Sequence, residues 1–354
     1  MITNFFLGAN SGAGFRSLYE DFVAPEKNRD IMVLKGGPGV GKSSFMKYIG
    51  KKAEEWGEDV EYIQCSGDPD SLDAVRLPRL GIAAVDGTAP HVVEPQLPAA
   101  VDRYVDLGCC YDVDGLKARR SEIETHMANY KAAYCRAYRA LRAEQEIRQT
   151  EPMPPYHEEK LAKRTKGIIR RELGKRGDGS GSVTKRFLGG PTCKGDLCRH
   201  DTVVTLAKRV YLLCGSRRLA GEVLTQIAAA AAARNYDVIF CPDPEEMSRP
   251  QHIIIPSLAL AFLTGQEEVP YPGRPYRRIH LDALVMKRKE NRAKERFCRR
   301  TAALLHQEGM EELRQAKAHH DLLEQVYNPY VDFAQVYDLA EKEWQRIKTQ
   351  LEST

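Results

Sequence analysis

The chain has no run of about eighteen uncharged apolar residues, so no helix that spans a membrane is expected. Its first residues, MITNFFLGANSGAG, have no basic flank followed by a long apolar stretch and do not read as a signal peptide. The nine cysteines are odd in number and scattered, which argues against a secreted disulfide framework and for a reducing, cytoplasmic setting. The net charge of +4 is too small to indicate a nucleic-acid partner by itself. What remains is an ordinary globular composition. With 354 residues and 42% hydrophobic content, the chain can form two domains or one large one, and whole-chain disorder is excluded.

The most informative feature of organisation is an internal repeat. The first half holds NFFLGANSGAG, SLYEDF and IMVLKGGPGVGKSSF; the second holds RFLGGPTCKG and VYLLCGSRRLAGEVL. GEDVEYIQC and LPRLGIAAVDG are echoed by NYDVIFC and IPSLALAFLTG. Pro78 pairs with Pro256 and Gly36 with Gly215, at offsets of 178 and 179, so the register hardly drifts. That spacing is too long for a solenoid and predicts two tandem domains.

Residues 31–35 (IMVLK), 60–65 (VEYIQC) and 80–85 (LGIAAV) read as buried strands, and 42–56 as an amphipathic helix. Strands alternating with helices imply an α/β fold with mostly parallel sheets covered on both faces. Residues 116–148 and 337–351 carry apolar positions alternating by four and three, which suits a helical hairpin segment after each core, packed on that core or on a second copy. The breaks MPPY (153–156) and NPY (328–330) would end helices. The resulting division is a nucleotide-binding core over 1–112, a helical segment over 113–172, a glycine- and serine-rich linker over 173–185, a second core over 186–283 and a second helical segment over 284–354.

Residues 36–43 read GGPGVGKS and fit G-x-x-x-x-G-K-[ST], between an expected strand and an expected helix. Glycines let the backbone turn tightly and aim its N–H groups inward as an anion nest, and the helix that follows adds its positive dipole end. The phosphate-binding set is then Gly36, Gly37, Gly39, Val40, Gly41, Lys42, Ser43 and Ser44. Lys42 would reach the β- and γ-phosphates, and the Ser43 hydroxyl would ligate Mg²⁺. Asp86 ends the run LGIAAVD and is placed to orient a magnesium-bound water, or else only caps the DGT turn. Asp68, Asp70 and Asp73 (SGDPDSLDAV) offer a water-positioning carboxylate, or turn and N-cap chemistry. His91 would sense a γ-phosphate or stay solvated.

The second half reads GSRRLAGE at the matching place: Ala220 stands for Gly41, Gly221 for Lys42 and Glu222 for Ser43, and FLTG has no acid where Asp86 would be. This half is expected not to bind nucleotide as a P-loop does. Arg217 and Arg218 would reach a phosphate of the other half as arginine fingers, or serve structure alone.

The strings FFLGANSGAGF, SLYEDF, LKGGPGVGKSSFMK, CSGDPDSLDAV and LPRLGIAAVDGTAPH, with their weaker second copy, resemble a family of bacterial tandem P-loop ATP-binding proteins found mainly in Firmicutes. The resemblance is tight over residues 1–110 and looser after 186. It implies two tandem P-loop NTPase-like domains, ATP held by the loop residues above, and Asp86 as the Walker B acid. Many members of that family keep a second intact phosphate loop; this chain departs from them there.

Other signals are weaker. GANSGAG (8–14) would fold over the nucleotide or be a plain turn. Cys193, Cys198 and His200 (CKGDLCRH) match no common zinc spacing and read better as free thiols, as do Cys109 and Cys110. Residues 160–186 hold ten Lys or Arg against two acids, and 287–300 hold eight against two. Such runs follow a nucleic-acid backbone or an acidic protein partner, or form solvated helix faces. No N-K-x-D element is present, so ATP rather than GTP is the default. The sequence thus leads to one Mg²⁺·ATP site in the first half, with slow ATP hydrolysis linked to helix movement. Its alternatives are a small-molecule or nucleotide kinase and a nucleotide-gated binding module.

Overall fold

The computed structural model describes residues 1–89, 92–150, 155–286 and 292–352. The first half runs β1 (Ile2–Phe6), β2 (Gly8–Ser11), β3 (Gly14–Ser17), α1 (Tyr19–Phe22), β4 (Asp30–Lys35), α2 (Lys42–Glu55), β5 (Val60–Gln64), β6 (Leu72–Leu77), β7 (Ile82–Asp86) and β8 (Asp102–Asp106), then α3 (Val113–Ala118), α4 (Arg120–Gln149) and α5 (Glu158–Glu172). The second half runs β9 (Val183–Lys185), β10 (Gly189–Thr192), β11 (Gly195–Cys198), α6 (His200–Leu206), β12 (Arg209–Cys214), α7 (Arg217–Ala232), β13 (Val238–Asp243), β14 (Glu246–Ile255), β15 (Leu260–Thr264) and β16 (Arg277–His280), then α8 (Arg292–Tyr327) and α9 (Phe333–Glu352).

The repeat read from the sequence is a repeat of topology. The two six-stranded sheets have orders β1-β5-β6-β7-β4-β8 and β9-β13-β14-β15-β12-β16, the same plan written twice. In each, the outer strands pair in parallel, while β6 and β14 run against both neighbours. The sheets are therefore mixed, though mostly parallel. Strand β6 escapes the sequence reading because SGDPDSLDAV looks like an acidic loop. Its residues Leu72 to Val75 are buried nonetheless, and Asp73 tolerates burial because the Tyr19 hydroxyl donates to it (2.8 Å). A tight turn returns β6 into β7, with Gly81 at φ +67°; Ala259 holds the same place at φ +46° in the second half.

Strand β4 shows why its sequence is apolar without alternation. Ile31 and Val33 face one core and Met32 and Leu34 another, so both faces of the strand are buried. The first of these cores is common to the halves: Phe5, Phe6 and Leu7 meet Phe187, Leu188 and Leu206 between the two sheets.

The helices are arranged differently from the expectation of a hairpin on each core. The long helices α4 and α8 pair with each other along their length, joined by Arg136–Glu312 (2.7 Å), the Tyr130–His320 ring contact and the apolar set Ala137, Leu141, Met310 and Leu313. The last helix of each half crosses over. Helix α9 lays Val336, Ala340, Trp344 and Ile347 on the first core, and α5 lays Leu161 and Ile168 on the second. The two crossings match bond for bond: Asp112 N to Tyr330 O (2.8 Å) and Asp332 N to Cys110 O (2.9 Å) correspond to Met286 N to Pro155 O (2.7 Å) and His157 N to Leu284 O (2.9 Å). The halves are thus related by a pseudo-twofold with exchanged helices. The NPY break is a short 3-10 turn, Asn328–Tyr330, between α8 and α9.

Candidate functional site

The loop after β4 turns sharply at Gly39 (φ +69°) and Gly41 (φ +94°), left-handed conformations that glycine reaches without steric cost. Gly41 is also the N-cap of α2, and no side chain caps that helix, so the N–H groups of its first turn face the loop without a side-chain acceptor. Lys42 folds back over the loop, donating to Gly36 O (2.8 Å) and Gly37 O (2.9 Å), with its Nζ 3.6 Å from Asp86 Oδ2. Val40 is wholly buried in the core and lends only its backbone. Ser43 Oγ accepts from Leu72 N (3.0 Å) and lies where β6 begins. Ser44 follows in the first turn of α2, half-buried.

Both readings of Asp86 hold, one on each oxygen. Oδ1 accepts from Thr88 N (2.9 Å) and Thr88 Oγ1 (2.6 Å), as a turn-capping aspartate does; Oδ2 is the oxygen facing Lys42. Ser43 hydroxyl and Asp86 carboxylate are hard oxygen donors on adjoining elements, the set that suits Mg²⁺. Of the three nearby aspartates, Asp70 pairs with Lys194, and Asp68 caps Ser71 (2.9 Å) and approaches Lys317 (3.5 Å). Asp73 alone is buried, one residue past the Ala74–Val85 ladder pair, on the strand beside Asp86. His91 lies outside the described residues.

Sequence reasoning missed the groups that close over the loop, because they come from distant segments. Tyr111 donates to Pro38 O (2.8 Å). Asn328, with its amide turned to satisfy both groups, donates to Gly39 O (3.3 Å) and Glu324 O (3.1 Å). A Cβ on Gly41 would stand 3.2 Å from Val336 Cγ1. The aromatic residues of NPY and its flanks are the one sequence cue, and they gain meaning only once α9 crosses over.

The matching loop of the second half is filled by the protein itself. Ser216 Oγ caps α7 by accepting from Leu219 N (3.4 Å), and Asp282 Oδ1 accepts from Ser216 N (3.1 Å). A Cβ on Gly215 would collide with that carboxylate. Leu107 N bonds Lys35 O as Leu281 N bonds Cys214 O, so Gly108 is the first-half equivalent of Asp282 and adds no side chain. Glu222, in the place of Ser43, accepts from Tyr156 Oη (2.9 Å). Arg217 pairs with Glu268 (3.2 Å) on its own half.

The remaining motifs resolve structurally. GANSGAG forms the β2–β3 hairpin, and its Asn10 donates to Pro191 O (3.0 Å) in the second half's equivalent hairpin. CKGDLCRH does not gather a metal set: among the described residues the grouping close enough to hold an ion is His320, Asp321 and Glu324. All nine cysteines are free. No helix of the described residues is long and apolar enough to cross a membrane. No family model, curated protein or solved structure matches this chain.

Proposed function

We propose that the chain is an ATP-binding P-loop NTPase with one competent Mg²⁺·ATP site, in its first half. The observation that supports this reading most is the place of Lys42: its ammonium sits over the mouth of an uncapped helix, between loop carbonyls and 3.6 Å from the Asp86 carboxylate. A lysine there is withdrawn from solvent yet free to exchange carbonyl partners for phosphate oxygens. Ser43 and Asp86 would hold Mg²⁺, which when bound would neutralise phosphate charge. The loop N–H groups would orient the phosphates, and Tyr111 and Asn328 would hold the loop's shape from outside. The reaction is slow ATP hydrolysis, coupled to helix movement because Asn328, in the turn between α8 and α9, and Val336, on α9, close over the loop from the second half.

Buried Asp73 favours a second reading, phosphoryl transfer to a hydroxyl acceptor, since a carboxylate beside the metal-holding pair can take the acceptor's proton. The test is nucleotide binding and phosphate release with Mg²⁺, ATP against GTP, for wild type and Lys42→Ala. Binding and release in wild type, with neither in Lys42→Ala, supports hydrolysis. Binding without release favours transfer or a nucleotide-gated module. No binding refutes the reading.

A further inference from the structure

The basic run that begins at Lys160 does not stay linear in the folded chain. Lys163, Arg164 and Arg171 on α5 and Arg277 and Arg278 on β16 line one groove of about 480 Å³. Arg164 Nη1 donates to His280 O (3.2 Å) and fixes the helix against that strand. On the other flank of α5, Lys166, Arg170, Lys175 and Arg234 line a second depression of about 600 Å³. Neither lining includes a carboxylate. Among the described residues, Arg171 alone of these nine cations has an ion-pair partner, the buried Glu172. Arg186, at the far end of the run, is not part of this face: it is buried and bonded to Glu61 (2.6 Å).

Two bland explanations fall short. Charge on an edge strand discourages aggregation, and β16 is the last strand of its sheet. That accounts for Arg277 and Arg278 but not for the cations of α5. A solvated helix face normally alternates charge signs; α5 opens with the exposed Glu158 and Glu159, but from Lys160 to Arg171 its charged residues are all basic. The whole chain carries only +4, so the nine cations gathered here leave the rest of the chain on balance acidic, the basic run at 287–300 notwithstanding.

We propose that the face formed by α5 and β16 binds the phosphodiester backbone of nucleic acid without reading its sequence. The basic stretch of α5 from Lys163 to Arg171 extends about 13 Å, a length that meets about four successive phosphates at about 3.4 Å each. The linings present no Asn, Gln, Asp or Glu to read base edges. The exposed aromatic ring beside the face, Tyr276, is engaged by the Arg209 and Arg277 guanidinium groups at 5.9 and 5.6 Å, so base stacking contributes little.

The test measures fluorescence anisotropy of the full chain with single-stranded DNA, single-stranded RNA and duplex DNA of about two dozen nucleotides, from about 50 to 200 mM KCl. The expected result is binding of similar strength across sequences, falling steeply with salt. Arg277→Glu/Arg278→Glu and, separately, Lys163→Glu/Arg164→Glu each weaken it at least about tenfold and lower the salt slope by about one per lost contact. Lys42→Ala leaves it unchanged, which separates this proposal from the nucleotide reading. Three results overturn it: no binding at low salt, binding indifferent to both double variants, or retention on phosphatidylglycerol vesicles rather than nucleic acid that the same variants abolish.

Discussion

Phe6 and Phe187 donate to each other's carbonyl oxygens, both at 2.9 Å. Each occupies the same place in its own half, so the reciprocal pair marks the pseudo-twofold that relates the halves. Both rings are buried in the core between the two sheets. The halves are therefore packed back to back through a common core, with their last helices exchanged.

The exchange makes a C-terminal residue responsible for the N-terminal core. Trp344 is 2% exposed and meets the edge of Trp56 with ring centroids 6.2 Å apart. Trp344→Ala is expected to cost about 3–5 kcal/mol in thermal or denaturant unfolding. Native-state amide exchange should rise in β4 and α2 and stay unchanged in β12 and α7. Uniform exchange across both halves would contradict the exchanged arrangement.

Gly41 and Gly57 separate backbone cost from site function. Both have positive φ, +94° and +80°, but a Cβ on Gly57 meets nothing within 4 Å, while one on Gly41 stands 3.2 Å from Val336. Each change to alanine should lower stability by about 1–2 kcal/mol. Only Gly41→Ala should also weaken ATP binding, by about tenfold or more, in a calorimetric titration.

His306 is held between two carboxylates, Nε2 to Asp196 (2.6 Å) and Nδ1 to Glu144 (2.8 Å). These bonds, with Asp196 first, push the imidazole from its ordinary 6.5 up to about 10. A raised folded-state value means that the protonated form is stabilised by folding. The contribution is complete below about pH 6.5 and disappears as the pH climbs through about 10. Melting temperature should fall over that window in wild type, and the fall should flatten in His306→Gln.

Asp73→Asn keeps one oxygen to accept from the Tyr19 hydroxyl and removes the charge, with an amide nitrogen in place of the second oxygen. If the carboxylate serves the chemistry, ADP formation, whether by hydrolysis or by transfer to an acceptor, should drop by about a hundredfold with ATP affinity held within about twofold. Equal loss of affinity and rate would assign Asp73 to binding alone. An unchanged rate would leave it a buried structural carboxylate.

The parts legible in the sequence are those set by neighbours along the chain. The glycine pattern of 36–43 specifies a turn that few other residues could make, and IMVLK announces a strand buried on both faces. The offset of 178 to 179 between Gly36, Pro78 and their counterparts carries the duplicated sheet plan. Strand β6 was hidden because the burial of Asp73 depends on Tyr19, 54 positions away. The second loop was legible as lacking lysine, but its filling by Asp282 was not, since that contact spans 66 positions. The basic run read as one stretch, yet folding buries Arg186 and brings Arg277 and Arg278 to α5. The partner of each closing helix was the least legible feature. The amphipathic faces of α5 and α9 suit either core by pattern alone, because periodicity records which face is apolar and not what covers it. The sequence alone therefore determined most of the local elements, the repeat and the turn of the first loop into α2. Tertiary structure decided which half covers which, because that choice rests on long-range packing between surfaces that are alike in sharing one sheet plan.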